Sequence, residues 1–72
     1  MVNIKRIKEL RKVLHDAQTK MDLISKRIMQ GGLSLDQQIL HLDNYTANQT
    51  RHMLGNEELI KLLKETTIFN YE

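Results

Sequence analysis

The sequence predicts an all-α fold: a long antiparallel helical hairpin that resembles a coiled coil, followed by a short third helix. Apolar residues recur at alternating spacings of three and four over residues 4–28, which is typical of a coiled-coil helix. A Gly-Gly pair then interrupts the pattern, and no stretch alternates apolar and polar residues as a half-buried strand does. Pro and Cys are absent and only three Gly occur in 72 residues, so the fold has to depend on helix packing.

Helix 1 is predicted over about residues 3–30, with Asn3 as its N-cap. The regular spacing places seven residues on one apolar stripe: Ile7, Leu10, Leu14, Ala17, Met21, Ile24 and Ile28. An isolated helix with such a stripe is marginal in water because most helical stability comes from packing of the apolar face. The rest of the chain is therefore expected to cover it.

Gly31-Gly32 is predicted to end helix 1, since Gly readily adopts the left-handed conformation of a helix C-terminus. Ser34, with Gln37 three residues later, forms the pattern of a capping box. Helix 2 is therefore predicted over about residues 35–54. A connection this short makes the two helices antiparallel neighbours.

The three–four spacing continues in helix 2 and predicts which residues face helix 1: Leu35, Ile39, Leu42, Thr46, Gln49 and Met53. Counting outward from the turn pairs Ile28 with Leu35, Ile24 with Ile39, and Met21 with Leu42. The same register places Gln49 against Leu14. A buried amide without a partner costs about 1–3 kcal/mol, so either Gln49 turns to solvent or helix 2 bends away there.

Gly55-Asn56 is predicted to be the next helix stop and start, with Asn56 as N-cap and Glu57 and Glu58 at the positive end of the helix dipole. Helix 3 then covers about residues 57–65. The apolar tail, residues 66–72, either packs on the hairpin or stays loose until a partner binds. The whole chain is predicted to be a single helical domain.

The charge is distributed unevenly. Residues 1–30 contain eight basic and three acidic residues, a net charge of +5. Residues 31–72 contain three basic and six acidic residues, a net charge of −3. The asymmetry indicates either packing of a basic helix near acidic ones or a basic surface for nucleic acid or an acidic partner. There is no signal peptide and no apolar run of membrane-spanning length, so we expect a cytoplasmic protein without a membrane partner.

No set of residues predicts catalysis. No nucleophile lies in a motif with a base, and the three Gly form no phosphate-binding loop. His41 and His52 share a helix face but lie three turns apart, too far for one metal ion. We therefore expect no enzyme activity, no catalytic residues, no cofactor and no metal.

The sequence favours a small regulatory protein that acts on a larger regulator or enzyme through its helix surfaces. Two regions are candidates for that contact, namely the half-polar end of helix 2 and helix 3 with its tail. The candidate residues are Tyr45, Gln49, His52, Leu59, Leu62, Leu63, Ile68, Phe69 and Tyr71. The protein partner is not identified by the sequence.

A DNA-binding regulator is the alternative. Residues 33–54 resemble a helix-turn-helix, with Asn44 at the turn and Thr46 as cap of a recognition helix. Asn and Arg side chains read base edges, and Lys contacts phosphates. The nucleic-acid candidates are Lys5, Lys8, Lys12, Asn48 and Arg51.

A further alternative rests on a resemblance. The opening over residues 4–19 and the Gly32-Leu33 turn before helix 2 resemble the small helical hairpins of the sporulation aspartyl-phosphate phosphatase family. That family carries Ser-Gln-Glu-Leu-Asp on helix 2, where this chain has Asp-Asn-Tyr-Thr-Ala at residues 43–47. The resemblance therefore implies the hairpin but not the phosphatase activity.

A homodimer is also predicted. Helix 2 covers only about three of the seven stripe positions of helix 1 with apolar side chains. The end that contains Ile7, Leu10 and Leu14 would remain exposed, and each such side chain forfeits about 1.5–3 kcal/mol. A second copy that covers this end with helix 2 or helix 3 would bury it.

Overall fold

The computed structural model describes the backbone of residues 3–71 and the side chains of residues 3–65. Two helices pack against each other, α1 at Ile4–Gln30 and α2 at Leu35–Tyr71. They run antiparallel, and the molecule measures 57 × 16 × 13 Å along its principal axes. No strand occurs within residues 3–71. The all-α hairpin agrees with the prediction.

The N-terminus and inner face of α1 are as predicted. The Asn3 side chain accepts a hydrogen bond from the Arg6 backbone N–H at 3.0 Å, which satisfies one of the free N–H groups of the first turn. All seven residues of the predicted apolar stripe are buried or half-buried. Leu10, Ala17 and Met21 are the buried apolar residues among the described side chains, at 2%, 0% and 6% exposure.

The turn between the helices is also confirmed. Gly31 and Gly32 have φ of 77° and 78°, in the region that L side chains rarely adopt. Ser34 Oγ accepts a hydrogen bond from the Gln37 N–H at 3.2 Å, and the Ser34 N–H donates to Gln37 Oε1 at 3.0 Å. This is the predicted capping box, and α2 begins directly after it at Leu35.

The predicted third helix is wrong, because α2 continues through Gly55-Asn56 as one helix of 37 residues. Gly55 is buried rather than part of a turn. A Cβ at this position would lie 3.3 Å from Leu14 Cδ2 and 3.6 Å from Val13 Cγ1. Gly55, which was predicted to end helix 2, instead lies where the backbone of α2 comes close to α1.

The predicted register of α2 is also wrong. Leu35, Ile39, Leu42 and Met53, which were expected to face α1, are 71%, 49%, 54% and 53% exposed. Thr46 and Gln49 of the same set are exposed too. The predicted pairs Ile28–Leu35, Ile24–Ile39, Met21–Leu42 and Leu14–Gln49 therefore do not form the interface.

A neighbouring face of α2 packs on α1 instead. Its residues are buried or half-buried and follow one another at spacings of three and four: His41, Tyr45, Asn48, His52, Gly55, Leu59 and Leu62. This face is offset by one residue from the predicted one, and it contains Gly55, whose lack of a side chain leaves room for Leu14 of α1. The face of α2 that packs on α1 is thus the one that contains Gly55 and not the more apolar one.

Candidate interaction surface

The apolar stripe of α2 lies on the outside of the hairpin. We call it the outer stripe. It contains nine residues at alternating spacings of four and three: Leu35, Ile39, Leu42, Thr46, Gln49, Met53, Asn56, Ile60 and Leu63. All nine are exposed, and its six apolar members range from 41% to 71% exposure. The stripe has the pattern that a coiled-coil helix presents to another helix.

Two interhelical ion pairs mark one side of the hairpin, which we call the back. Arg6 Nε lies 2.6 Å from Glu58 Oε2, and Arg6 Nη2 donates to Glu58 Oε1 at 2.8 Å, so the pair is bidentate. Arg51 Nη1 lies 3.6 Å from Asp16 Oδ2. Each pair joins the edge of α1 to the matching edge of α2. These contacts link residues far apart in the chain and are consistent with a register in which Gly55 faces Leu14.

The outer stripe lies on the opposite side, the front. Because successive residues of a helix are 100° apart, the stripe and the ion-pairing residues of α2 fall on opposite edges of its contact with α1. On α1, the edge away from Arg6 and Asp16 carries Ile7, Leu14 and Ile28, which are all half-buried. The front of the hairpin therefore carries apolar residues of both helices, interrupted on α2 by Thr46, Gln49 and Asn56.

The front of the hairpin leaves six apolar side chains of α2 exposed. Complete burial of a Leu or Ile side chain contributes about 1.5–3 kcal/mol. Burial of the exposed half of six apolar side chains would therefore contribute about 4.5–9 kcal/mol, which is comparable to the entire stability of a small domain. Association with another helix would bury these side chains and gain that free energy.

The electrostatics of the back are dominated by one pair. The hydrogen bond from Arg6 lowers the pKa of the Glu58 carboxyl below its ordinary value. The same hydrogen bond, with a weaker one to Glu9 at 3.3 Å, raises the pKa of the Arg6 guanidinium. Both side chains of the Arg6–Glu58 pair are 42% exposed, so solvent weakens the pair and its main effect is on geometry.

The structure divides the predicted partner-binding residues into two groups. Tyr45, His52, Leu59 and Leu62 are half-buried on the face of α2 that packs on α1. Gln49 and Leu63 are exposed on the outer stripe. The side chains of Ile68, Phe69 and Tyr71 lie outside the described residues. The predicted set therefore does not form one surface.

The nucleic-acid candidates are also separated. Lys5, Lys8 and Lys12 are exposed on α1. Asn48 is half-buried, and its amide donates to the Asn44 carbonyl oxygen at 2.8 Å. Since α2 is continuous from Leu35 to Tyr71, the turn predicted at Asn44 is wrong. The helix-turn-helix version of DNA binding therefore loses its structural basis.

The described residues contain no group of three or more His, Cys, Asp or Glu positioned to hold a metal ion. None of the described helices combines the length and the apolar character needed to span a membrane. Comparison with protein-family models, curated proteins and solved structures gave no match.

Sequence reasoning recognised the outer stripe but assigned it to the interior. The signal for the alternative register is the series Tyr45, Asn48, His52 and Gly55, which has the same three–four spacing. A Gly in such a series is compatible with close approach of a neighbouring helix, because it has no Cβ. Because Gly55 was predicted to end helix 2, the sequence did not indicate that the outer stripe is exposed.

Proposed function

We propose that this chain is a small, non-catalytic regulatory protein that acts by binding a protein partner through the front of the hairpin. The observation that carries the proposal is the outer stripe, whose apolar side chains are 41–71% exposed along one helix. A partner helix with its own apolar stripe would pack into this surface by the interdigitation that joins coiled-coil helices.

Site-specific photo-cross-linking in the source cells tests the proposal. A photoreactive residue replaces Leu42, which is exposed on the outer stripe, or Asn44, which is exposed two residues away and outside the stripe. We expect covalent protein adducts from position 42 and few from position 44. Equal adducts from both positions, or none from position 42, would count against binding through the front.

Stoichiometry separates a binder from an enzyme. A protein that acts by association needs about one copy for each target, whereas a catalyst acts at substoichiometric amounts. The phosphatase-like alternative would depend on Asp43, the acid within the segment that corresponds to that family's motif. If Asp43→Ala abolishes release of phosphate from a phosphorylated response regulator while binding persists, the catalytic alternative replaces our proposal.

The exposed lysines of α1 support a second candidate function, binding to nucleic acid. Lys5, Lys8 and Lys12 are exposed and make no ion pair within the described part of the chain. Binding through them would weaken steeply with salt, because each neutralised phosphate releases counterions. A gel shift at low salt tests this, with the triple Lys→Gln variant as the comparison, and no retardation would remove the candidate.

A further inference from the structure

The front of the hairpin fits a second copy of the same chain. The chain exposes 5904 Å², whereas a compact monomer of 8.5 kDa is expected to expose about 4,700 Å². The excess of about 1,200 Å² exceeds the roughly 800 Å² that each partner buries in a stable interface of standard size. The elongated hairpin thus exposes more surface than a compact monomer of its mass, by an amount comparable to one side of a stable interface.

We infer that two copies pack front to front, with the two-fold axis parallel to the helices, so that α1 of each copy lies against α2 of the other. This inference rests on the proposed function, since it names the partner of the same surface. The result is a four-helix bundle in which every neighbouring pair of helices is antiparallel. Two arrangements bring the fronts together, and charge and register decide between them.

Charge favours this arrangement over one that places α1 on α1 and α2 on α2. The segment up to residue 30 carries +5 and the remainder carries −3. Packing α1 against α2 of the other copy brings opposite charges together, whereas the alternative places each helix beside one of its own sign. Arg11 on the rim of α1 then lies level with Glu57 of the second copy, and both residues are exposed in the single chain.

The register of the hairpin also produces matched layers. Rotation about an axis parallel to the helices leaves the position of each residue along that axis unchanged. Each residue of α1 therefore meets, on α2 of the second copy, the same residues that lie beside it across its own hairpin. Two contacts define how α1 and α2 are aligned along the axis: Gly55 lies opposite Leu14, and Arg51 lies near Asp16. Five layers pair like with like, namely Ile4 with Leu63, Ile7 with Ile60, Leu14 with Met53, Gln18 with Gln49, and Ile28 with Ile39, whereas the same register sets Ser25 against Leu42 and Met21 against Thr46.

The first test measures mass by sedimentation equilibrium at micromolar concentration. We expect a dimer for the unmodified chain. Met53→Lys places a charge in an apolar layer and should weaken association by about 100-fold or more. Asn44→Lys, an exposed position outside the stripe, should leave the dimer unchanged. A monomeric unmodified protein, or equal effects of the two substitutions, would overturn the inference.

Charge reversal and cross-linking test the arrangement itself. Arg11→Glu and Glu57→Arg should each weaken the dimer, about 10-fold for a rim charge pair, and the double variant should restore it. The chain lacks Cys, so disulfide formation is specific to introduced sites. A mixture of Gln18→Cys and Gln49→Cys should form the mixed disulfide, whereas preferential coupling of Gln49→Cys to itself would indicate α2 on α2 and overturn the arrangement.

The outcome for the dimer is separable from that of the proposed function. If the purified chain is monomeric but position 42 still cross-links a different protein in cells, the front binds that protein and only the dimer is refuted. If the adducts have twice the mass of the chain, the partner is the second copy. If the chain is monomeric and position 42 forms no adduct, both proposals fail.

Discussion

Gly55 lies where α2 packs against Leu14 and Val13 of α1. Within a helix, Gly costs about 0.5–1 kcal/mol relative to Ala because it loses more backbone freedom on folding. Here that cost allows the α2 backbone to lie against Leu14 and Val13. The contact lies on the face of α2 that packs inward, and the outer stripe lies beside it on the outside.

Substitution of Gly55 should show how tight this contact is. A Cβ would lie 3.3 Å from Leu14 Cδ2, the end of a flexible, half-buried side chain that can shift by a few tenths of an ångström. We therefore expect Gly55→Ala to be neutral or to stabilise by up to about 0.5 kcal/mol. Gly55→Leu should destabilise by about 1–3 kcal/mol because it separates the helices.

Urea denaturation measures both changes, and Asn44→Leu at an exposed site of α2 is the control for Gly55→Leu. The control should change the free energy of unfolding by less than about 0.5 kcal/mol. Equal effects of Gly55→Leu and the control would contradict close packing at Gly55.

The Arg6–Glu58 pair predicts a pH dependence of stability. Because the pKa of Glu58 is lowered in the folded chain, its stabilisation is fully present above the unfolded pKa of about 4.3. It is lost as the pH falls through the lowered folded value. We expect Glu58→Gln to lower the melting temperature near neutral pH, and the difference from the unmodified chain to disappear well below pH 4.

Thermal unfolding followed by circular dichroism across this range checks the effect. Asp43→Asn is the control, since Asp43 is an exposed acid of α2 outside the outer stripe and makes no ion pair among the described residues. The contribution of Glu58 would be refuted if both variants lost stability in parallel at every pH.

At the scale of elements, the turn at residues 31–34 determines the hairpin. Gly31 has φ 77° and ψ −170°, a backbone region that is almost restricted to Gly. Its N–H donates to the Ile28 carbonyl oxygen at 3.2 Å, and Arg27 Nη1 donates to the Gly31 carbonyl oxygen at 3.1 Å. The chain therefore leaves α1 in a fixed direction before the Ser34 cap starts α2.

Chirality provides a direct test of this turn. Nothing lies within 4 Å of a Cβ at Gly31, so Gly31→Ala should destabilise only through backbone strain, by about 1–3 kcal/mol. D-alanine at the same position has the mirror-image preference and should retain stability. Denaturation of the two synthetic chains measures the difference, and equal losses would show that space rather than backbone conformation limits the site.

At the scale of the whole molecule, the hairpin is narrow and has little interior. Its radius of gyration is 16.6 Å, compared with about 11 Å for a compact chain of this length. Much of the apolar surface of α2 faces outward. The stability of the folded chain is therefore expected to depend on what covers the front.

If a second copy covers the front, the melting temperature should rise with protein concentration. Each tenfold increase in concentration favours a dimer by about 1.4 kcal/mol, which corresponds to several degrees for a bundle of this size. Calorimetry over a 100-fold range of concentration measures it. The Met53→Lys variant should melt at a lower temperature with much weaker concentration dependence, and a constant melting temperature for the unmodified chain would contradict self-association.

The sequence by itself determined the local features of the fold. The N-cap at Asn3, the Gly31-Gly32 turn, the Ser34–Gln37 capping box and the apolar stripe of α1 were all predictable. Each depends on residues within a few positions of one another, because hydrogen bonds at helix ends and helical periodicity are local properties.

Only the tertiary structure decided how α2 is used. The sequence offers two faces of α2 with the same spacing, one apolar and one that contains Gly55. The choice depends on how closely Gly55 fits against Leu14, 41 residues earlier, and on the Arg6–Glu58 contact. No local rule evaluates a fit across that separation, so both the continuity of α2 and the exposure of the outer stripe followed from the packing of the two helices.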